Sequence, residues 1–580
     1  MGRTFLTLCL LAAVAGRLPA QQPVAAEPMA LADVKAGQRG EVWTVFQGTK
    51  PEPFAVEVTG IIQNALGPGK SVILCKLTDP RVQDMGAVAG MSGSPLYIDG
   101  KFVGALSYQL QHFETIRYAG FTPAADMAEV AERVGAPALP AAGEASAPTA
   151  LGGGGEAFQP MKPVFALGGV SPRTAEIMAP QFAALGIALA PLGGSSQGDG
   201  AAFAGPLIPG DAVSVALTTG DISMAGTGTV SRVEGNRVLA FGHPMMGLGD
   251  VQMPMCAADV VAILPSTSDS YKVANVGGVI GTISQDRLSA VSGLLGPGPE
   301  MTDVTVVAGR GPTEHTIHFQ VVRDRRIAPL TMLTGVVEGV FGSNANQASE
   351  GFKITSTVSF SPGQQVTREA VYAGPQGFQA GLFEFLGMLS AELQNPFEKE
   401  VPQSVQFRIE PLEDNPAVTV EQFQLSRTLV RPGETLQVTL GWRSFQGAEE
   451  TTTVDIPVDP SWAGKSVEVI VAPGRLLDEL TGHNHTFRAG QLRSFEAYVE
   501  AMRSTRPEEG LNIAVVEKSA LFFDQAVATP DVPASIERIA GDADSARYQR
   551  RDALIPLWET HILDGKVTFT EFHRTVRVVE

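Results

Sequence analysis

Apolar and polar residues alternate over short stretches along most of this chain, at the two-residue period that gives a β-strand one buried face. Phe54-Ala-Val-Glu-Val-Thr-Gly-Ile-Ile62 alternates, Ser71 to Leu77 is a short apolar run, and Leu96-Tyr-Ile-Asp-Gly-Lys-Phe-Val-Gly-Ala-Leu106 reads as a hairpin. Its Asp99-Gly100 pair suits a type I′ turn, because both central residues of that turn need φ > 0. Ala124 to Val134 has the spacing of a short amphipathic helix that closes this first unit, residues 31–135. The sequence then turns to Ala, Pro and Gly, including Gly152-Gly-Gly-Gly155, and predicts an exposed linker over 136–163.

A second strand-rich unit is predicted over 164–311, with a hairpin from Gly226 to Gly242 that turns at Gly235-Asn236. Helices are expected at 328–341 and 375–394, inside a connecting region of helices and strands over 312–400. Val430-Arg-Pro-Gly-Glu-Thr-Leu-Gln-Val-Thr-Leu440 combines alternation with turn residues, which fits a β-sandwich-like domain over 401–472. Residues 473–580 read as a mixed α/β region with a helix near 489–503, and no repeat of fixed period indicates a solenoid.

Composition narrows the function. The 580 residues contain 42 Lys+Arg against 61 Asp+Glu, a net charge of −19, so phosphate backbones and anionic lipid repel the chain. A nucleic-acid partner is excluded on that ground, and a protein or peptide partner is left. Arg3, the apolar run Phe5 to Ala15 and then Leu18-Pro19-Ala20 read as an export signal over 1–20, which places the mature chain in the periplasm or outside the cell. No later stretch reaches the ~18 apolar residues of a membrane span. Beyond the leader only Cys75 and Cys256 remain, too few for a disulfide framework, and both are expected as small buried hydrophobes.

Chemistry concentrates at Gly90-Met91-Ser92-Gly93-Ser94-Pro95. A serine flanked by glycines in a tight turn can expose its hydroxyl, and the Gly90 and Ser92 amides can point at one spot, as an oxyanion hole requires. The α/β-hydrolase elbow does not fit, since it needs Gly two residues after the nucleophile and a helix next. Standing alone, such a motif is more often an ordinary Gly-Ser loop. A nucleophilic serine needs a base, and His243, held between Gly242 and Pro244 at a strand end, is the distinctive one of eight histidines. His315 and His318 differ in strand parity and His483 and His485 lack a Cys or carboxylate partner, so no metal site is assigned. Asn64-Ala-Leu-Gly-Pro-Gly-Lys-Ser71 departs from a phosphate-binding loop at its first position and precedes a strand, so it reads as a turn, and no cofactor is expected.

Lys76-Leu-Thr-Asp-Pro-Arg81, Gly90-Met-Ser-Gly-Ser-Pro95 and Asp99-Gly-Lys-Phe-Val-Gly-Ala105 together resemble the C-terminal part of the SpoIVB-type serine peptidase domain. Gly226-Thr-Gly-Thr-Val230, Leu239-Ala-Phe-Gly-His-Pro244 and Gly278-Val-Ile-Gly-Thr-Ile283 resemble its N-terminal part. The resemblance implies a mainly β, chymotrypsin-like double β-barrel; because the His segment here follows the Ser segment where the family has it first, either the halves are permuted, which is the favoured reading, or the two segments have different histories and no longer meet. It further implies Ser92 as nucleophile, His243 as general base and Asp79 as the group that orients the imidazole. An Asp before Pro is equally a turn starter, and Asp250 and Asp259 are alternatives for the third role. The function so implied is an exported serine endopeptidase. The rival reading is a secreted, non-catalytic binding protein that keeps the barrels as a scaffold, and in either case the C-terminal region is free to engage a protein partner.

Overall fold

Six antiparallel strands close the first unit into a barrel in the computed structural model. The structure describes residues 26–580 except 111–115, 136–157, 162–163, 191–205, 265–269, 343–348, 362, 394, 396, 398–401, 482–493, 525–526, 531–532, 537 and 539–547. The strands are β1 (Arg39–Val45), β2 (Pro51–Ile62), β3 (Val72–Leu77), β4 (Pro95–Ile98), β5 (Lys101–Leu110) and β6 (Tyr118–Pro123), with helix α1 (Pro80–Met85) leading into β4. The order β4-β1-β2-β3-β6-β5 returns to β4 through a β4–β5 pairing, so the ring has no open edge. That pairing is the expected hairpin: Ile98 faces Lys101, and Asp99 and Gly100 lie at φ 50° and 74°. The inward set of each strand, including Val42, Phe54, Val56, Ile73, Leu96 and Phe121, is almost wholly buried and forms one core. Helix α2 (Ala124–Ala131) follows β6, and β7 (Phe158–Pro160) adds to β5, within the segment expected as linker. The remainder of that linker, from 136 to 157, and the leader over 1–20 lie outside the described residues.

A second six-stranded ring follows. After β8 (Val164–Gly168), helix α3 (Pro172–Ala183) and β9 (Ala188–Ala190) come β10 (Ala212–Gly220), β11 (Ser223–Glu234), β12 (Arg237–Ala240), β13 (Gly249–Leu264), β14 (Tyr271–Arg287) and β15 (Ala290–Leu295). Their order β10-β13-β14-β15-β12-β11 closes through β10–β11, again with every neighbour antiparallel. The Gly235-Asn236 turn is as expected, with Glu234 opposite Arg237 and Gly235 at φ 60°. The chain is mainly β, with two closed antiparallel barrels in succession, as in the chymotrypsin-like fold.

The sheet of the second barrel continues past β10 through β17 (His315–Val322) and β16 (Met301–Ala308) to the strands 404–412, 351–361 and 364–372. Helix α4 (Ala328–Phe341), in the expected place, is buried on nearly all sides, and Gly335 lets the Phe319 ring approach where a Cβ would lie 2.6 Å from it. The strand Ser404–Leu412, expected to open the sandwich, instead pairs in parallel with β16. A sandwich does follow: the sheet of 418–425, 435–444 and 449–457 shares a core with the sheet of 466–472, 511–524 and 572–578. It therefore recruits C-terminal strands that local pattern assigned to a separate region, because strand pairing between distant segments leaves no local signal.

Candidate active site

Two consecutive turns present Ser92. Met91 N donates to Val88 O at 2.8 Å and Ser94 N to Met91 O at 3.0 Å. The third residue of each turn is a glycine with positive φ, Gly90 at 97° and Gly93 at 95°. Type II turns need such a residue there, which explains the Gly90-Met-Ser-Gly93 spacing and puts Ser92 at a corner. The second serine of the motif braces the turn, since Ser94 Oγ donates to Met91 O at 2.6 Å.

The second barrel grips this turn. Thr229 N, on β11, donates to Ser92 O at 2.8 Å, Thr229 Oγ1 to Gly90 O at 3.0 Å, and Ser231 Oγ to Gly93 O at 2.7 Å. Gly93 is a point of very close approach: a Cβ there would lie 2.1 Å from Thr229 O and 2.4 Å from Phe241 N. Beyond β12, Phe241 and Gly242 both take φ 68° and reverse the chain. For Phe241 this is a strained backbone state of the kind found at functional sites, worth on the order of 1 kcal/mol. The first barrel fixes the bend in return, with Thr122 Oγ1 donating to Gly242 O at 2.6 Å.

His243 leaves this bend fully buried, with Nδ1 2.7 Å from Pro244 O. A carbonyl oxygen only accepts, so Nδ1 carries the proton and Nε2 keeps its lone pair. Nε2 is buried and has no hydrogen-bond partner among the described residues. Desolvation pushes the imidazole pKa down to about 4, so the ring is neutral at neutral pH. The structure thus brings the Ser92 turn and the His243 bend to one seam between the barrels, with no hydrogen bond yet made between Ser92 Oγ and Nε2.

The third role departs from expectation. Asp79 is the N-cap of α1: its carboxylate accepts from Arg81 N at 2.9 Å and pairs with the Arg81 guanidinium at 3.0 Å. The hydrogen bonds from Arg81 hold its pKa below the usual carboxylate range. Asp79-Pro80 is therefore a helix start, since Asp caps the first turn and Pro suits its first position. Asp250 is bound to Gln285 at 2.8 Å and Arg287 at 3.1 Å. Among the described residues no carboxylate, Asp259 included, bonds either imidazole nitrogen; the Pro244 carbonyl holds Nδ1 instead.

Two buried residues on β14 escaped sequence reasoning. Asp286 is fully buried and accepts from the amides of Met245 at 2.7 Å, Met246 at 2.9 Å and Leu248 at 3.2 Å, which clamps the loop leaving His243. Burial raises its pKa against the opposing pull of those amides. Lys272 lies beneath the Ser92 turn, with its backbone N donating to Ala89 O at 2.9 Å. Their only sequence signal was a charged residue inside a strand, which reads equally well as a solvent-facing position.

Residues 13–122 match the family model SpoIVB peptidase S55. The first barrel is thus similar to a SpoIVB-type peptidase segment. The matched stretch contains Asp79 and the whole Ser92 turn, ends in β6, and does not reach His243. Searches of curated proteins and of solved structures found no match. Outside the candidate site, the loop Asn64–Ser71 joins antiparallel β2 and β3 and is tied by Gly69 N to Asn64 Oδ1 at 2.7 Å, a turn as read. Cys75 and Cys256 are free and buried, with burial pushing each thiol up to about 12. Among the described residues no three His, Cys, Asp or Glu side chains group as metal ligands, and no helix is long and apolar enough to cross a membrane.

Proposed function

We propose that this chain is an exported serine endopeptidase of the SpoIVB type that cleaves a protein or peptide through an acyl-enzyme. Ser92 Oγ attacks the scissile carbonyl and its proton passes to His243 Nε2. The Nδ1–H of the imidazole is held by Pro244 O, a neutral acceptor where a triad has a carboxylate. The Gly90 and Ser92 amides, which among the described residues have no backbone acceptor, receive the oxyanion. One observation carries this reading: a bare Nε2 lone pair on a fixed imidazole, at the seam where the Ser92 turn docks. With the Ser-bearing barrel preceding the His-bearing one, the halves are permuted relative to the family order. Triads depend on geometry and not on order, so the chemistry tolerates this. In this reading the C-terminal sandwich positions the enzyme on a protein partner.

One observation favours the scaffold reading instead: Ser92 is only 2% exposed and His243 is fully buried. Labelling by a fluorophosphonate separates the two. An enzyme gives covalent modification of the wild type, none of Ser92→Ala, and near wild-type modification of Ser94→Ala. Absence of labelling in the wild type, or equal loss in both variants, rejects the assignment.

A further inference from the structure

Lys272, the second residue of β14, is only 6% exposed, and among the described residues its ammonium has one partner, Thr44 Oγ1 at 2.8 Å. Its methylenes run along Gly90: a Cβ at that glycine would lie 2.9 Å from Lys272 Cβ and 3.1 Å from Cγ and Cδ. Two backbone bonds of 2.9 Å, Lys272 N to Ala89 O and Ala89 N to Ser270 O, fix the strand beside the turn. With bond lengths of about 1.5 Å, the ammonium lies within about 7 Å of the Gly90 Cα. Among the described residues no carboxylate pairs with it. Glu41 on β1, Glu52 on β2, Asp84 on α1 and Asp259 on β13 contribute nothing to its titration, which desolvation alone shifts down to about 7.

An unpaired ammonium in such a place is costly, and a methionine would fill the same volume without that penalty. The charge is therefore placed where negative charge has to form. We propose that Lys272 is an electrostatic positioning residue of the acyl-transfer site, its ammonium backing the Gly90 and Ser92 amides against the oxyanion created when Ser92 attacks. The inference rests on the serine peptidase reading. In the step, the Ser92 Oγ–carbon bond forms, the carbonyl electron pair moves to oxygen, the hydroxyl proton goes to His243 Nε2, and Lys272 keeps its own proton throughout. A unit charge at this distance in a protein interior accelerates such a step by roughly tenfold or more.

The test is the pH dependence of fluorophosphonate inactivation of the full chain, for wild type, Lys272→Met and Thr44→Val. The wild-type rate is expected to fall through an alkaline limb near pH 7 as Lys272 loses its proton. Lys272→Met should lack that limb and run roughly tenfold slower below pH 7, with folding retained because the volume is kept. Thr44→Val leaves the turn untouched and removes the one hydrogen-bond partner the ammonium has among the described residues, so its limb should move to lower pH. Should Lys272→Met fail to fold, the Thr44→Val shift decides, and an unmoved limb overturns the inference. A Lys272→Met rate equal to wild type at every pH overturns it while leaving the peptidase reading intact. A wild type that never labels overturns both.

Discussion

Gly93→Ala places a single methyl group in the seam between the barrels, and the structure sets what it costs. The new Cβ would lie 2.1 Å from Thr229 O and 2.4 Å from Phe241 N, backbone atoms that no change of rotamer can move aside. The residue also sits at φ 95°, where a side chain adds roughly 1–2 kcal/mol of strain. Relief requires the turn to back away from β11, at the expense of the 2.8 Å bond from Thr229 N to Ser92 O and the 2.7 Å bond from Ser231 Oγ to Gly93 O. At about 1 kcal/mol for each hydrogen bond, the sum is about 3–4 kcal/mol. Gly100→Ala is the control, since Gly100 lies at φ 74° but a Cβ there meets nothing within 4 Å. Its cost is the backbone strain alone, roughly 1–2 kcal/mol. Hydrogen exchange read at the Thr229 and Phe241 amides isolates the difference of about 2 kcal/mol, which corresponds to roughly 30-fold faster exchange in Gly93→Ala than in Gly100→Ala. Fluorophosphonate labelling of Ser92 should fall in the first variant and persist in the second. Equal exchange in both would refute the argument, because the close approach would then not limit the seam.

Asp79→Ala should cost about 1 kcal/mol through loss of the α1 cap and leave the Ser92 labelling rate within about twofold; a loss of several hundredfold would return Asp79 to the imidazole. Acid should weaken the fold through His243, whose pKa is 6.5 in the open chain and about 4 when buried. Between those values the unfolded chain holds a proton that the folded chain refuses, so stability falls as pH drops through the window, by up to about 3 kcal/mol. Urea midpoints from pH 7 to pH 4 should therefore drop less steeply for His243→Leu than for wild type, and parallel slopes would contradict the burial argument.

How much of this was legible follows from the range over which each signal acts. Turns are local, so Asp99-Gly100, Gly235-Asn236 and Gly90-Met-Ser-Gly93 could be read from the residues that need φ > 0. Helix α4 was legible because its apolar residues recur at helical spacing between Pro329 and Gly342. Ring closure was legible only through the family resemblance, which implied a double barrel, since nothing in the pattern of β10 announces that it pairs with both β11 and β13. The strand Ser404–Leu412 was misplaced for the same reason: its alternation shows that it is a strand and carries no information about its parallel partner, β16. Asp79 shows the converse limit, because a motif shared with a family fixes a residue type, while the three-residue run Asp-Pro-Arg has a local use of its own as a capped helix start.

The two residues missed at the site share a cause, and that cause ties them together mechanically. Whether a charged residue in a strand faces solvent or the interior depends on register, and a slip of one place would exchange Asp286 for Gln285. In the observed register Gly249 and Val291 flank Asp286, so its carboxylate meets the three amides after His243. At the other end of the same strand, Lys272 lies under the turn that carries Ser92. One strand, β14, therefore supports the Ser92 turn at its start and the His243 loop at its end. Because β14 also pairs with both β13 and β15, any shift of its register would have to disturb the barrel, the Ser92 turn and the His243 loop at once. The two halves of the site are coupled through this strand as well as across the seam, which is how a serine and a histidine about 150 residues apart in the chain can be held in a fixed relation without a carboxylate between them.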